Sequence, residues 1–180
     1  KYVGKAAPAL VIIDPLQSFL PAGVEMASRN QMRSALLPLK ALCAKHGCAA
    51  LISMHTNKRA NVSGRARLAD SSDIWDIARS VLMMGRDKNS EKLYLSHEKS
   101  SYSAPARTAL LHIEQAQVEG VQTAVAVFDS RTDKKDADFV EERRVRTAQT
   151  KEDTAQAILN GLAESKLGRL PNTQLRAEVM

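Results

Sequence analysis

The chain lacks the features that would assign it to several protein classes. It has only two cysteines, Cys43 and Cys48, with no second pair to complete a metal site, so we expect free thiols. No apolar run approaches the roughly 20 residues needed to span a bilayer, and no charged and then apolar leader opens the sequence. These absences predict a cytoplasmic protein without a membrane partner.

Charge of one sign is not in large excess either. The 26 Lys and Arg residues outnumber the 20 Asp and Glu residues, which gives a net charge of +6. Because both signs are mixed along most of the chain, this excess favours a polyanionic partner only weakly. At this length roughly 70% of the unfolded surface can be buried, so one domain with a small appendage needs no covalent staples.

The most informative motif is the apolar run at residues 10–13, which ends in Asp14 and Pro15. A buried parallel strand carries no charge until its carboxyl end, where ligands bind in open α/β sheets. Asp14 therefore occupies the position of a Walker B aspartate, beside a magnesium-bound phosphate. The alternative is an ordinary strand exit, in which the carboxylate accepts turn hydrogen bonds and the proline ends the ladder.

A second apolar strand at residues 49–54 follows a helical pattern at residues 28–46, and Gly47 closes that helix. The strand ends in His55, Thr56 and Asn57. Two parallel strands joined by a helix form a right-handed crossover, so their carboxyl ends lie at one edge of the sheet. The sequence therefore predicts that Asp14 and His55 belong to the same site.

The segment from residue 57 to residue 70 is polar and contains no acidic residue before Asp70. A group of positive charges beside the carboxyl edge of the sheet suits the phosphate backbone of a nucleic acid. The alternative is a solvated loop of long basic side chains. The positive residues are Lys58, Arg59, Arg65 and Arg67.

After the basic loop, the sequence pattern predicts a short helix that begins at residue 71 or 72, followed by two hairpins. The first hairpin pairs residues 80–84 with 93–96, and the second pairs residues 108–114 with 121–128. Residues 131–149 are densely charged with alternating sign, which is typical of a linker or a solvated helix. We therefore divide the chain into an α/β domain at 1–130, a charged linker at 131–149 and a helical segment at 150–180.

The order of these segments resembles the second half of a RecA-like ATPase. The motifs that carry the resemblance are Leu-Val-Ile-Ile-Asp-Pro, Ala-Leu-Ile-Ser-Met-His-Thr-Asn-Lys, the basic loop and His-Glu-Lys-Ser-Ser-Tyr. Within that superfamily the chain is most similar to the RepA-type hexameric helicases of plasmids and phages, often labelled AAA-family ATPases. The resemblance covers about residues 8–130 and implies an α/β, RecA-like P-loop NTPase core with a mostly parallel sheet plus antiparallel hairpins.

The resemblance also implies cofactors, partners and roles for individual residues. ATP and Mg²⁺ are the implied cofactors, with Asp14 as the metal-binding residue and Pro15 beside it at the nucleotide. His55 would sense the γ-phosphate, and Lys99 would act as a basic finger on the nucleotide of the adjacent subunit, with Arg107 as a second candidate. The four basic loop residues would line the channel of a hexameric ring and contact single-stranded DNA.

The departures from the family pattern concern the nucleotide. A Gly-x-x-x-x-Gly-Lys-Ser/Thr loop is not in this sequence, because Gly4-Lys5 is followed by Ala6 and no glycine precedes it. In RecA-like ATPases that loop and the catalytic glutamate lie upstream of the Walker B strand, so we expect a fragment that does not hydrolyse ATP by itself. Glu25 and Glu98 are weak substitutes for the catalytic base.

The tail from Thr150 resembles the start of a winged-helix or helix-turn-helix segment. Two other functions stay open from the sequence. One is a RecA-like ATPase that loads or regulates without unwinding a duplex. The other is a non-catalytic module that binds nucleic acid or supports assembly.

Overall fold

The computed structural model describes residues 8–57 and 62–164, so Lys58 and Arg59 lie outside the described part of the chain. The structure contains six strands and three α-helices within these ranges, together with 3-10 segments at Leu16–Phe19 and Gly64–Ser71. In chain order the strands and α-helices are β1 (Leu10–Ile13), α1 (Arg29–His46), β2 (Ala49–Ile52), α2 (Ser72–Ile77), β3 (Ser80–Arg86), β4 (Leu93–Ser100), β5 (Thr108–Val118), β6 (Val121–Thr132) and α3 (Asp136–Glu164).

The predicted strand, helix and strand at the start of the chain are confirmed. β1 and β2 pair in parallel, with Ile13 opposite Ile52 at their carboxyl ends. Helix α1 joins them and ends at Gly47, whose φ of 63° lies in the left-handed region that glycine adopts without steric cost. The carboxyl ends of the two strands therefore meet at one edge.

The apolar core lies between α1, α2 and the ends of β1 and β2. Its buried members are Leu16, Met32, Leu36 and Ile74, and Ile13 and Ile52 pack against them from the strands. Met54 also contacts a second cluster, formed by Leu68, Val81 and Met83. The parallel unit and the second sheet thus share a continuous apolar contact through Met54, two residues after β2.

The second sheet has four antiparallel strands in the order β3, β4, β5, β6. Both predicted hairpins are confirmed. The α/β class is confirmed as well, since helices accompany the parallel pair and the antiparallel sheet. The prediction of a mostly parallel sheet is wrong for the described residues, where only β1 and β2 pair in parallel. The physical reason is the length of the connections: residues 87–92, 101–107 and 119–120 are too short to hold the crossover that parallel strands need.

Helix α3 runs without interruption through the segment that the sequence analysis divided at residue 150. The charged part therefore takes the helical alternative from Asp136 onwards, with Asp136 and Asp138 in its first turn, where carboxylates are favourable at a helix N-terminus. Residues 165–180 lie outside the described ranges, and the division into domains and the winged-helix segment stay predictions. Among the described helices none is both long and apolar enough to cross a membrane.

Candidate functional site

Asp14 lies at the carboxyl end of β1 with an exposed side chain. The backbone of Ser53 continues the parallel ladder beside it, since its N–H donates to the Ile13 carbonyl and its own carbonyl accepts from Leu16, each at 2.9 Å. This register places the Ser53 hydroxyl next to the aspartate, and it donates to Asp14 Oδ1. One carboxylate oxygen is thereby oriented by the neighbouring strand.

Pro15 follows Asp14 and is half-buried. Its carbonyl accepts a hydrogen bond of 3.2 Å from Ser18, which starts the 3-10 turn after β1. Pro15 has no N–H to donate, so the next bond from this strand to the Ser53 carbonyl is made by Leu16, and Asp14 lies just before this irregularity. A role for Pro15 at a nucleotide stays a prediction.

The single carboxylate at this edge fits a magnesium ion whose remaining ligands are phosphate and water oxygens. Mg²⁺ in phosphate-handling sites is bound by one or two carboxylates, with phosphate oxygens and water completing the octahedron. Asp14 supplies one such carboxylate, and Ser53 orients it. Nowhere in residues 8–57 and 62–164 do three His, Cys, Asp or Glu side chains gather as a metal site, so the described residues do not build a protein cage for the ion.

His55 follows β2 at the same edge, and its side chain is exposed. Within the described ranges the imidazole has no hydrogen-bond partner, whereas its neighbour Thr56 accepts a bond of 3.2 Å from Arg67. The structure therefore brings Asp14 and His55 to one edge of the sheet, and the side chain in direct contact with Asp14 is Ser53.

Arg65 and Lys99 converge on the end of helix α2. The Arg65 guanidinium lies 2.7 Å from the carboxylate of Asp76, and Lys99 Nζ donates to the Asp76 carbonyl at 3.1 Å and to the Trp75 carbonyl at 2.7 Å. Arg29 of α1 lies 3.6 Å from the same carboxylate. Arg65 is 52% exposed and Arg29 is 64% exposed, so both present positive charge to solvent.

Lys99 is half-buried in these contacts. A role on the nucleotide of another subunit stays a prediction, and it requires the ammonium group to leave the two carbonyls at the end of α2. Arg107, the second candidate, pairs through Nε with Asp133 at 2.7 Å, and both side chains are more than half exposed. An exposed pair of this kind separates at little cost, so Arg107 is the more available of the two cations.

Arg67 differs from the expectation of a solvent-facing nucleic-acid contact. Its side chain is 12% exposed, and it forms an ion pair with the fully buried carboxylate of Asp136. The Tyr94 hydroxyl donates to the same carboxylate at 2.9 Å. Burial and the negative charge of Asp136 raise the pKa of the Tyr94 phenol, partly offset by Arg67. As placed, Arg67 does not face a phosphate backbone, and the physical reason is this buried carboxylate.

The two glutamates considered as bases have other surroundings. Glu98 Oε1 accepts the N–H of Asp136 at 3.0 Å and the Ser96 hydroxyl, so it holds the start of α3. Glu25 is exposed in the loop before α1. Neither observation identifies a catalytic base for a reaction beside Asp14.

Ser80 and His97 form a contact that resembles a nucleophile and base pair, at 2.9 Å between Oγ and Nε2. The Ala106 N–H donates to His97 Nδ1 at 3.1 Å, so Nδ1 carries no proton in this arrangement. In the neutral ring Nε2 then carries the proton and donates to Ser80. The contact therefore does not activate the serine.

Sequence reasoning missed Ser53, Arg29 and Asp136. Ser53 could have been found from the parallel register, because the residue after β2 must lie beside the residue after β1. Arg29 begins α1, and nothing in the local pattern relates it to Arg65. Asp136 lies 69 residues from Arg67, in a segment whose alternating charges predict solvent exposure.

Residues 2–61 match a family model described as an AAA domain. The matched segment contains the β1, α1 and β2 unit together with Asp14, Ser53 and His55. The match supports an AAA or P-loop ATPase-like family, and with it the general use of nucleotide and Mg²⁺. Comparisons with curated proteins and with solved structures find no match.

Proposed function

We propose that the chain is part of a RecA-like, magnesium-dependent ATPase that acts on single-stranded DNA, of the RepA helicase type. The observation that carries the proposal is the position of Asp14. It is an exposed carboxylate at the carboxyl end of a parallel strand, inside the segment that matches an AAA domain. Ligands of open α/β sheets bind at this end of the strands.

In the proposed reaction water attacks the γ-phosphorus of ATP, the bond from that phosphorus to the β-phosphate oxygen breaks, and ADP and inorganic phosphate are released. When bound, Mg²⁺ would supply positive charge that stabilises the phosphates of ATP. Asp14 would hold this ion, and the Ser53 hydroxyl donates to Asp14 Oδ1 and thereby orients the carboxylate. His55 follows β2 at the same edge and is exposed, and in this proposal it senses the γ-phosphate.

A neighbouring subunit supplies positive charge in this proposal. Lys99 or Arg107 of that subunit would stabilise the negative charge that develops in the transition state, a contribution of roughly 10³- to 10⁵-fold in rate. In the described part of the chain Arg107 pairs with the exposed carboxylate of Asp133, and such a pair separates at little cost. This favours Arg107 over Lys99 if the cation must move to reach the neighbouring nucleotide. The site is then complete only in a ring of subunits, for which a hexamer is the proposed form.

The proposed DNA surface combines Lys58, Arg59 and Arg65 with Arg29. Arg65 and Arg29 lie side by side on Asp76 and are both more than half exposed. Arg67 supports this surface indirectly, since its buried ion pair holds the backbone that carries Arg65.

The ATPase test uses the complete protein that carries this chain. Asp14→Ala is expected to reduce magnesium-dependent hydrolysis to background, whereas Asp153→Asn, which changes an exposed carboxylate on α3, is expected to leave it unchanged. If Asp14→Ala hydrolyses ATP at the wild-type rate, Asp14 is not part of the ATPase site. Hydrolysis without duplex unwinding would favour a loader or regulator, and no hydrolysis in the wild type would favour the non-catalytic module.

The DNA test measures single-strand affinity against salt concentration. Arg65→Ala is expected to weaken binding and to reduce the slope of log K against log salt by about 0.7 for each phosphate that the protein no longer neutralises. Arg144→Ala is the matched control, because Arg144 is an exposed arginine paired with Glu141 on α3. If Arg65→Ala leaves the slope of log K against log salt unchanged, Arg65 does not neutralise a phosphate and the loop is solvated without contacting DNA.

A further inference from the structure

A buried polar cluster outside the candidate site connects three parts of the fold. At its centre is Asp136, the first residue of α3, whose side chain is fully buried. Its carboxylate accepts from the Gly64 N–H at 2.8 Å, from the Tyr94 hydroxyl at 2.9 Å and from the Arg67 guanidinium. A carboxylate removed from water is stable only while such donors remain in place, so these contacts hold each other fixed.

Arg67 also reaches the candidate site from the other side. Its Nη2 donates to Thr56 Oγ1 at 3.2 Å, and its backbone carbonyl accepts the Asn57 N–H at 3.0 Å. Both residues directly follow His55. One side chain therefore contacts the carboxyl edge of the parallel strands and the start of α3 at the same time.

The first turn of α3 is firmly anchored, in contrast to the rest of the helix. Glu98 accepts the Asp136 N–H at 3.0 Å, and the buried Phe139 ring stacks on Tyr94 with centroids 4.1 Å apart. Farther along, Val145 and Leu159 are each more than half exposed. A helix of 29 residues is roughly 43 Å long at 1.5 Å per residue, so a small rotation of the anchored turn moves its far end substantially.

We propose that Arg67 and Asp136 couple the occupancy of the Asp14 and His55 edge to the position of α3. The proposal rests on the proposed function, since nucleotide is the ligand whose binding moves the residues after β2. One planar guanidinium makes both contacts, through Nη2 to Thr56 and through Nη1 to Asp136, so a movement of this group alters both. Because Asp136 has no access to water, the start of α3 must follow. Arg67 and Asp136 are positioning residues in this scheme and touch no substrate.

The test measures two quantities in the complete protein with Mg²⁺ and a non-hydrolysable ATP analogue. The first is the dissociation constant of the analogue, and the second is amide hydrogen exchange at Gly64 and at residues 136–142. In the wild type, nucleotide is expected to change exchange at these amides by at least about 5-fold, the lower end of ordinary coupling between sites. The β5 and β6 hairpin provides an internal reference that is expected not to respond.

Two variants cut the connection from opposite ends. Asp136→Asn removes the buried negative charge. Thr56→Val removes the contact of Arg67 with Thr56 and leaves no buried charge unpaired. Thr56→Val therefore tests the coupling even if Asp136→Asn fails to fold. Both are expected to bind the analogue and to lose the response at residues 136–142. Asp138→Asn is the matched control, because its carboxylate lies in the same turn and, among the described residues, accepts from the Lys135 N–H and makes no contact with Arg67 or Thr56.

The outcomes separate this inference from the proposed function. No binding of the analogue to the wild type overturns both. Binding without an exchange response in α3 overturns the coupling alone, as does a response that persists in Thr56→Val. Loss of the response in Asp138→Asn as well would show that any change in this turn has the same effect, which also overturns the assignment to Arg67 and Asp136.

Discussion

The packing of Gly85 against Tyr94 gives the most direct test of the fold. These residues are opposite each other in the β3 and β4 pair. A Cβ added at Gly85 would lie 2.4 Å from Tyr94 Oη and 2.5 Å from Cζ, far inside van der Waals contact. Gly85 is not among the positive-φ glycines, so Gly85→Ala introduces a steric conflict with the ring and no backbone strain.

The contacts of the Tyr94 ring oppose its displacement by an added methyl group. The ring is fully buried, stacked on Phe139 and hydrogen-bonded to the Asp136 carboxylate. Overpacking costs about 1–3 kcal/mol, and a displaced hydroxyl adds the cost of a broken buried hydrogen bond. The reduced entropy of the unfolded chain returns about 0.4–1 kcal/mol in a Gly to Ala change. We therefore expect Gly85→Ala to lower the free energy of unfolding by about 2–4 kcal/mol.

The assay is urea denaturation followed by circular dichroism, with the midpoint compared at constant slope. Met84→Ala is the matched control, because Met84 is the neighbouring residue of the same strand and is 57% exposed. It is expected to change the free energy of unfolding by no more than about 0.5 kcal/mol. The Tyr94→Leu background completes a double-mutant cycle, in which the cost of Gly85→Ala should largely disappear.

Two results would refute this reasoning. One is a Gly85→Ala protein within about 0.5 kcal/mol of the wild type. The other is an equal cost of Gly85→Ala in the Tyr94→Leu background, which would place its cause outside the contact with the ring.

Two further predictions concern the pH dependence of stability. Burial opposes ionisation of Asp87, but hydrogen bonds from Ser90 and Asn89 and the charge of Lys134 lower its pKa overall; the stabilisation is therefore present above about pH 4 and is lost as the pH falls through the folded-state pKa. The difference in free energy of unfolding between wild type and Asp87→Asn should shrink from pH 5 towards pH 2, and a constant difference would contradict the assignment. The pKa of Tyr94 is raised by burial and by Asp136, so its stabilisation is present below about pH 10 and is lost as the pH rises through the folded-state pKa. Tyr94→Phe should flatten the alkaline loss of stability measured against the wild type, and parallel curves above pH 10 would refute this.

Local patterns predicted the elements of the fold well. The apolar runs before Asp14 and His55, the helical period between them and the glycine at its end gave the β1, α1 and β2 unit, because burial of a parallel strand and a helix face leaves distinct periodicities. The hairpins followed from short turns between alternating segments. Sheet composition was less predictable: the resemblance implied mostly parallel strands, whereas the described strands form one parallel pair and a separate antiparallel sheet.

The candidate site, like the fold, was predictable from the sequence only in part. The common edge of Asp14 and His55 follows from chain direction alone, since parallel strands must end together. The partner of each cation does not follow from the sequence. Lys99 was predicted to reach the nucleotide of a neighbouring subunit, and in the structure it contacts the carbonyls at the end of α2. Arg65 was predicted to contact nucleic acid, and it lies on Asp76.

The sequence by itself determined where strands and helices form and which residues leave the sheet at its carboxyl edge, because these depend on neighbours a few positions away. Only the tertiary structure decided which charges are buried. Arg67 and Asp136 are 69 residues apart, and each lies in a segment whose composition predicts exposure. Their burial depends on Tyr94, Gly64 and Glu98 arriving at the same place, and no local pattern encodes such a meeting of distant donors and acceptors.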